Sequence, residues 1–318
     1  MWKEVLDVTY TVLARRYRSR DFEEVVGQSP ISETLRRAVE QDRTAHAYLF
    51  CGTRGVGKTT LARIFARAIN VTDDLEDAEG IAEAIMRGDD LDVIEIDGAS
   101  NNSVDDVRDL RDAVRYLPQR GLKKVYIVDE VHMLSKQAFN GLLKTLEEPP
   151  PSLKFILATT EVRKIPVTIL SRCQRFDLKR VSVDKLCTHL KNISAKENGK
   201  ISEDSIKLIA KTSEGSVRDA VSLLDRALIS QSISKNNLIE ETDVREMLGL
   251  ADRSKIISLF KEVLSGKEKE ALKYLRELIN DGIDAKIFLN DILEVLYLFS
   301  RRINLGPIEK DTTVSEAE

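Results

Sequence analysis

Residues 52–59 read Gly-Thr-Arg-Gly-Val-Gly-Lys-Thr, a complete G-x-x-x-x-G-K-[ST] nucleotide loop, and their flanks narrow the fold to one class. The apolar run Ala47-Tyr48-Leu49-Phe50-Cys51 before the loop has the length of a buried strand. After it, Lys58 to Ile69 places Leu61, Ile64, Phe65, Ala68 and Ile69 at helical spacing. Strand, glycine loop and helix in that order let successive backbone N–H groups curl around phosphate oxygens at the positive end of a helix. Gly52, Thr53, Arg54, Gly55, Val56 and Gly57 are therefore read as the phosphate cradle. Lys58 is expected to reach the β and γ phosphates and Thr59, beside Thr60, to hold Mg²⁺.

The segment Lys124-Val125-Tyr126-Ile127-Val128-Asp129-Glu130 is a β-branched strand ending in two carboxylates. Paired acids at a strand end mean little alone. Joined to the nucleotide loop they form a hydrolytic pair, with Asp129 ordering Mg²⁺ and Glu130 polarising the attacking water.

At 318 residues the chain has room for two or three domains, each with its own core. Charged residues make up 32% and hydrophobic ones 42%, the mix of a soluble globular protein. No apolar stretch reaches the roughly 20 residues of a membrane-spanning helix, and Met1-Trp2-Lys3-Glu4 does not begin a secretory signal, so a cytoplasmic location is expected. Cys51, Cys173 and Cys187 form no C-x-x-C pair and are read as reduced packing residues. A net charge of −4 argues against coating nucleic acid over the whole surface but leaves room for a local basic face.

Strands are readable at 47–51, 91–97, 124–129 and 154–159, separated by helical segments, which is the alternation of a parallel sheet. Ser29 and Pro30 read as the cap and first residue of a helix carrying Ile31, Leu35, Ala38 and Val39 on one stripe. Other helices are expected from Ser103 to about Tyr116 and from Ser135 to the Pro149-Pro150-Pro151 stop. Beyond about residue 181 the strand signal disappears. Helices around 206–210 and 217–228 are separated at Gly215, and a third block has helices near 253–264, 267–280 and 284–303. The expected organisation is thus a nucleotide-binding domain at 1–180, a helical lid at 181–247, a helical block at 248–303 and a disordered tail at 304–318.

After the strand ending at Thr159 comes Ile169-Leu170-Ser171-Arg172-Cys173. Thr159 or Thr160, just past the strand, is placed to sense a γ-phosphate. Arg172 has no evident partner in its own chain; such an arginine, taken alone, is usually a solvated surface residue.

Together these blocks resemble the gamma/tau family of bacterial DNA polymerase III subunits, AAA+ clamp-loader ATPases. The resemblance runs over nearly the whole chain. It rests on Tyr48-Leu49-Phe50 with the nucleotide loop, Ile94-Glu95-Ile96-Asp97, Asp129-Glu130-Val131-His132-Met133-Leu134, Leu142-Leu143-Lys144-Thr145-Leu146-Glu147-Glu148-Pro149-Pro150, Leu157-Ala158-Thr159-Thr160 and Ser171-Arg172-Cys173. It implies a P-loop NTPase sheet followed by a helical lid and a partial helical collar. It further implies that Arg172 acts in trans on a neighbour's ATP, that Arg218 in Gly215-Ser216-Val217-Arg218-Asp219 contacts the phosphates of its own ATP, and that Arg18, Val25 and Val26 border the adenine. The implied partners are other copies of the chain, delta and delta-prime subunits, a sliding clamp and primer-template DNA, with no membrane.

Three departures from the family pattern matter. Val71 to Gly88 has no cysteine where relatives carry a zinc module, so zinc is not expected. Arg18-Ser19 replaces the usual Arg-Pro. Near Asn101, Asn102 and Ser103, where DNA phosphates approach in the family, Arg108 is the one obvious cation, leaving Asn101, Ser103 and a helix N-terminus as weaker contacts. His46, His132 and His189 lack ligand spacing and are read as structural. Two alternatives stand beside this reading. A branch-migration helicase would share Lys58, Asp129, Glu130 and an arginine finger; a non-hydrolysing loader scaffold would usually carry a degraded nucleotide loop.

Overall fold

The computed structural model describes residues 11–72, 74–100, 117–233, 238–250, 253–280 and 285–306. The expected helix from Ser103, with Asn101 and Arg108, lies outside the described residues, as do positions 307–318 of the expected tail. Two compact units are distinguished, one of residues 1–200 and 206–233, the other of 201–205 and 234–318.

The first unit is built on a five-stranded parallel sheet in the order β2-β3-β4-β1-β5, with β1 Ala47–Cys51, β2 Val93–Asp97, β3 Lys124–Asp129, β4 Leu153–Thr159 and β5 Gln174–Asp177. Alternate residues of each strand face opposite sides, so an uninterrupted apolar run feeds two cores. Ala47, Leu49, Tyr126, Val128, Phe155 and Leu157 pack on one face with Ala138, Phe139, Leu142 and Leu146 of α5 (Lys136–Glu147). Tyr48, Phe50, Val125, Ile127 and Ile156 pack on the other with Leu61, Ile64 and Phe65 of α3 (Lys58–Asn70), Leu35 of α2 (Ser29–Glu40) and Ile81 and Ile85 of α4 (Ala78–Arg87). The segment read as a metal-free insert thus contributes α4, capped by Asp77, which accepts a bond from the Gly80 N–H.

Strand β5 was not legible because it is a four-residue edge in which Gln174, Arg175 and Asp177 are exposed. Its packing residue is Phe176, whose ring meets those of Tyr48 and Phe50 at 6.3 and 6.0 Å. The cap of α2 also differs. The helix begins at Ser29, with Gln28 in the capping place. Gln28 is drawn instead to Lys179, donating to its carbonyl at 2.7 Å and accepting from its N–H at 3.2 Å.

Expected at 91–97, β2 starts at Val93 because Asp92 turns its fully buried side chain inward. Its carboxylate accepts from the backbone N–H groups of Gln119, Arg120 and Gly121 at 2.6–2.9 Å and faces Lys124 Nζ at 3.4 Å. Burial works to raise this carboxyl's pKa, but the three amides and Lys124 outweigh it and hold it below the ordinary aspartate value. Asp92→Ala strands those amides and is expected to cost about 3 kcal/mol in chemical denaturation. A group with a lowered folded pKa contributes fully above its unfolded value, near 4, and loses that contribution as pH falls through the folded value. The stability gap between the parent chain and Asp92→Asn is therefore expected to close in strong acid; a gap independent of pH would remove the carboxylate charge from the account.

The lid helices of this unit are α7 (Val183–Lys196) and α9 (Val217–Ile233), with α8 (Glu203–Thr212) beginning in the second unit. The short α1 (Leu13–Arg16) packs on α9, where the Leu13 N–H donates to Asp225 at 3.0 Å. The second unit contains α10 (Glu241–Leu248), α11 (Arg253–Leu264), α12 (Glu268–Asn280) and α13 (Ala285–Leu305), around Ile256, Leu259, Ala271, Leu278 and Val295. No helix among the described residues is long and apolar enough to cross a membrane.

Candidate nucleotide site

Parallel sheets place ligand sites at the carboxyl ends of their strands, and here β3, β4 and β1 are neighbours whose ends carry the candidate chemistry. The loop after β1 needs its glycines. Gly55 and Gly57 adopt φ of 77° and 103°, in the left-handed region. A Cβ on Gly55 would also come within 1.9 Å of Ser216 Oγ, while one on Gly57, at the amino end of α3, would meet nothing within 4 Å.

Lys58 is 5% exposed and donates to the carbonyls of Gly52 and Thr53 at 2.9 and 3.1 Å. An ammonium has three donors, so one is left to point at an anion. Burial lowers its pKa, opposed by the nearby Glu130 and Asp129 carboxylates. Thr59 donates its hydroxyl to Asp129 Oδ2 at 2.6 Å. These are the two side chains read as Mg²⁺ ligands, and the oxygen-only pair fits a hard cation held jointly with phosphate.

Glu130 occupies the left-handed region at φ 44°, a conformation that costs a non-glycine residue about 1 kcal/mol and is found where structure over-determines it. Its Oε2 accepts from the Thr160 N–H at 3.1 Å and the Thr160 hydroxyl at 2.9 Å. Of the two threonines read as the sensor, Thr159 is engaged away from Glu130: its buried hydroxyl accepts from the Glu161 N–H at 3.0 Å and meets His132 Nδ1 at 3.0 Å.

The lid reaches this loop. The Arg218 N–H donates to the Gly55 carbonyl at 3.3 Å, and the Arg218 side chain is exposed. The Arg18 guanidinium has its pKa lowered by burial and by the charges of Arg63, Arg218 and Arg15, against the pull of Glu95. Arg63 is itself held by Glu95 at 2.7 Å. Arg18 is thus within electrostatic reach of Arg218. Val25 is buried among Leu35, Phe50 and Val56, and Val26 is half-buried.

Arg172 requires a correction. It has a partner in its own chain, donating to Glu147 Oε1 at 2.6 Å and to the Thr168 carbonyl at 2.7 Å. Sequence reading missed it because Glu147 closes α5, 25 residues away, and comes beside α6 (Val167–Leu170) only once both helices pack on the sheet. His132, read as structural, sits against Glu130; nothing in its spacing marked that. The three thiols behave as packing groups: burial pushes Cys173 up to about 12 and raises Cys51 and Cys187.

Three family models cover most of the chain. That for the DNA polymerase III delta subunit matches residues 27–182, that for the ATPase lid domain of the DNA polymerase III clamp loader subunit residues 185–232, and that for domain III of DNA polymerase III subunits gamma and tau residues 239–318. DNA polymerase III subunit tau of Bacillus subtilis (strain 168) is 44% identical over 290 residues, covering 90% of this chain and 51% of the relative. DNA polymerase III subunit gamma of Buchnera aphidicola subsp. Acyrthosiphon pisum (strain APS) is 40% identical over 297 residues, covering 92% and 81%. The chain spans about half the length of the tau relatives it matches. Among solved structures, the Thermotoga maritima RuvB Holliday junction branch migration motor superposes with a TM-score of 0.57 at 21% identity, over 78% of this chain and 79% of that one. That likeness shows a shared fold, and the sequence relatives show the lineage: the chain belongs to the gamma/tau family of DNA polymerase III subunits.

Proposed function

We propose that the chain is an ATP-driven motor subunit of a DNA polymerase III clamp loader, which opens a sliding clamp and places it on primer-template DNA. The observation that carries this reading is the meeting of Lys58, Thr59, Asp129 and Glu130 at the carboxyl ends of the central strands, with the lid's Ser216 and Arg218 against Gly55. A lid seated on the phosphate loop lets nucleotide state alter the arrangement of helices beyond the sheet. Mg²⁺, when bound, neutralises charge developing on the phosphates. Lys58 and Arg218 bind and orient the phosphates, Thr59 and Asp129 hold the ion, and Glu130 accepts the proton of the attacking water. Thr160, rather than Thr159, is the polar residue in contact with that base. Zinc has no part in this reading.

Delta and delta-prime subunits, a clamp and further copies of the chain complete the assembly. Leu289, Leu293, Leu296 and Tyr297 on α13 are exposed, an apolar stripe that supports packing between subunits. DNA contacts are assigned to Asn101, Ser103 and Arg108. The branch-migration alternative is supported by fold likeness alone.

The test is nucleotide-dependent DNA binding by the chain assembled with its partners. Affinity is expected to be independent of sequence and to fall steeply with salt, with Arg108→Ala reducing the log–log salt slope by about one. Affinity that is flat with salt, or unchanged between ATP and ADP, would exclude the proposal.

A further inference from the structure

The one-turn helix Val131–Met133 after Glu130 turns His132 back under the end of β4, where its side chain is 6% exposed. Three groups face the ring. Nδ1 lies 3.3 Å from Glu130 Oε2 and 3.0 Å from Thr159 Oγ1, and Nε2 lies 3.4 Å from Glu161 Oε1. Thr159 Oγ1 already accepts the Glu161 N–H. Each ring nitrogen faces a carboxylate oxygen, and a proton on Nδ1 offers Glu130 a donor in place of a lone pair.

With that proton in place, the imidazole lies 3.3 Å from the Glu130 oxygen that accepts the Thr160 N–H and the Thr160 hydroxyl. Oε1 accepts no hydrogen bond among the described residues, and the Glu130 side chain is 30% exposed. We infer that His132 is a positioning residue for hydrolysis, which fixes Glu130 by its Nδ1 edge so that Oε1 is presented to the attacking water. Glu161, half-exposed and joined to Lys164 at 2.9 Å, lies along the other edge of the ring. The inference rests on Glu130 acting as the base. It adds the reason a non-glycine residue is kept in the left-handed region there: the strained turn brings His132 under the carboxylate it orients.

The experiment uses full-length chain with its partners, measuring saturating ATP turnover and ATP affinity in His132→Leu, His132→Asn and His132→Gln. An Asn amide can occupy the place of Nδ1, whereas a Gln amide reaches that of Nε2. Turnover is expected to fall about 10- to 100-fold in the Leu and Gln variants and to be largely retained in Asn, with ATP affinity within about twofold throughout. Because His132 acts through Glu130, His132→Leu is expected to cause no further loss in a Glu130→Gln background. Full turnover in His132→Leu, an Asn variant as slow as Leu despite an unchanged melting temperature, or additive losses in the double variant would overturn the inference. Unchanged turnover in Glu130→Gln alone would instead remove the base reading beneath it.

Discussion

An Arg172→Ala chain, assembled beside a wild-type copy, is expected to bind its own ATP normally and to slow hydrolysis at the neighbouring site by about 10³-fold or more. In its own chain the guanidinium is held by Glu147 and the Thr168 carbonyl, with its side chain 31% exposed. These bonds, with a longer one to Ser171 Oγ at 3.5 Å, restrict the side chain and leave donors free, since a guanidinium carries five. A pre-oriented, partly exposed cation of this kind suits a phosphate brought to it by a neighbour. The measurement pairs Arg172→Ala with Lys58→Ala in a defined assembly, so that only one site can turn over. Loss of ATP affinity in the isolated Arg172→Ala chain would place the residue in its own site and end the trans assignment.

Glu130→Gln is expected to keep ATP binding and to lower turnover by about 10²- to 10⁴-fold, the span of a removed general base. Lys58→Ala is expected to fail one step earlier. Losing an ammonium whose remaining donor makes a charge-assisted bond to phosphate, worth about 1.5–3 kcal/mol, weakens ATP by about 10- to 100-fold. Titration with a labelled ATP analogue, followed by single-turnover hydrolysis, separates the two variants. Equal ATP affinity in Lys58→Ala and the parent chain, or full turnover in Glu130→Gln, would contradict the site assignment.

The nucleotide loop, the acid pair ending β3 and four of the five strands were legible in the sequence because each is encoded by neighbours along the chain. Glycines that must adopt positive φ, apolar runs of strand length and helical stripes are local patterns. They determined the fold class and the expected grouping of Lys58 and Thr59 with Asp129 and Glu130, of which Thr59 and Asp129 meet at 2.6 Å across 70 residues. Sequence resemblance also marked Arg172 and Arg218, but not what touches them.

Tertiary structure alone decided the contacts whose partners are chosen by sheet order and helix packing. Glu147 is found for Arg172 because α5 and α6 pack on the same core. Thr160 and His132 are found for Glu130 because β4 lies beside β3 and the left-handed turn doubles back beneath it. Gln28 reaches Lys179 across 151 positions, and Asp92 gathers three amides nearly thirty residues downstream. Periodicity says which face of an element is buried; it carries no information about which distant polar group will be waiting there. That is settled only when the strands are in register, because a buried carboxylate or imidazole stays in the fold only where such partners offset its desolvation.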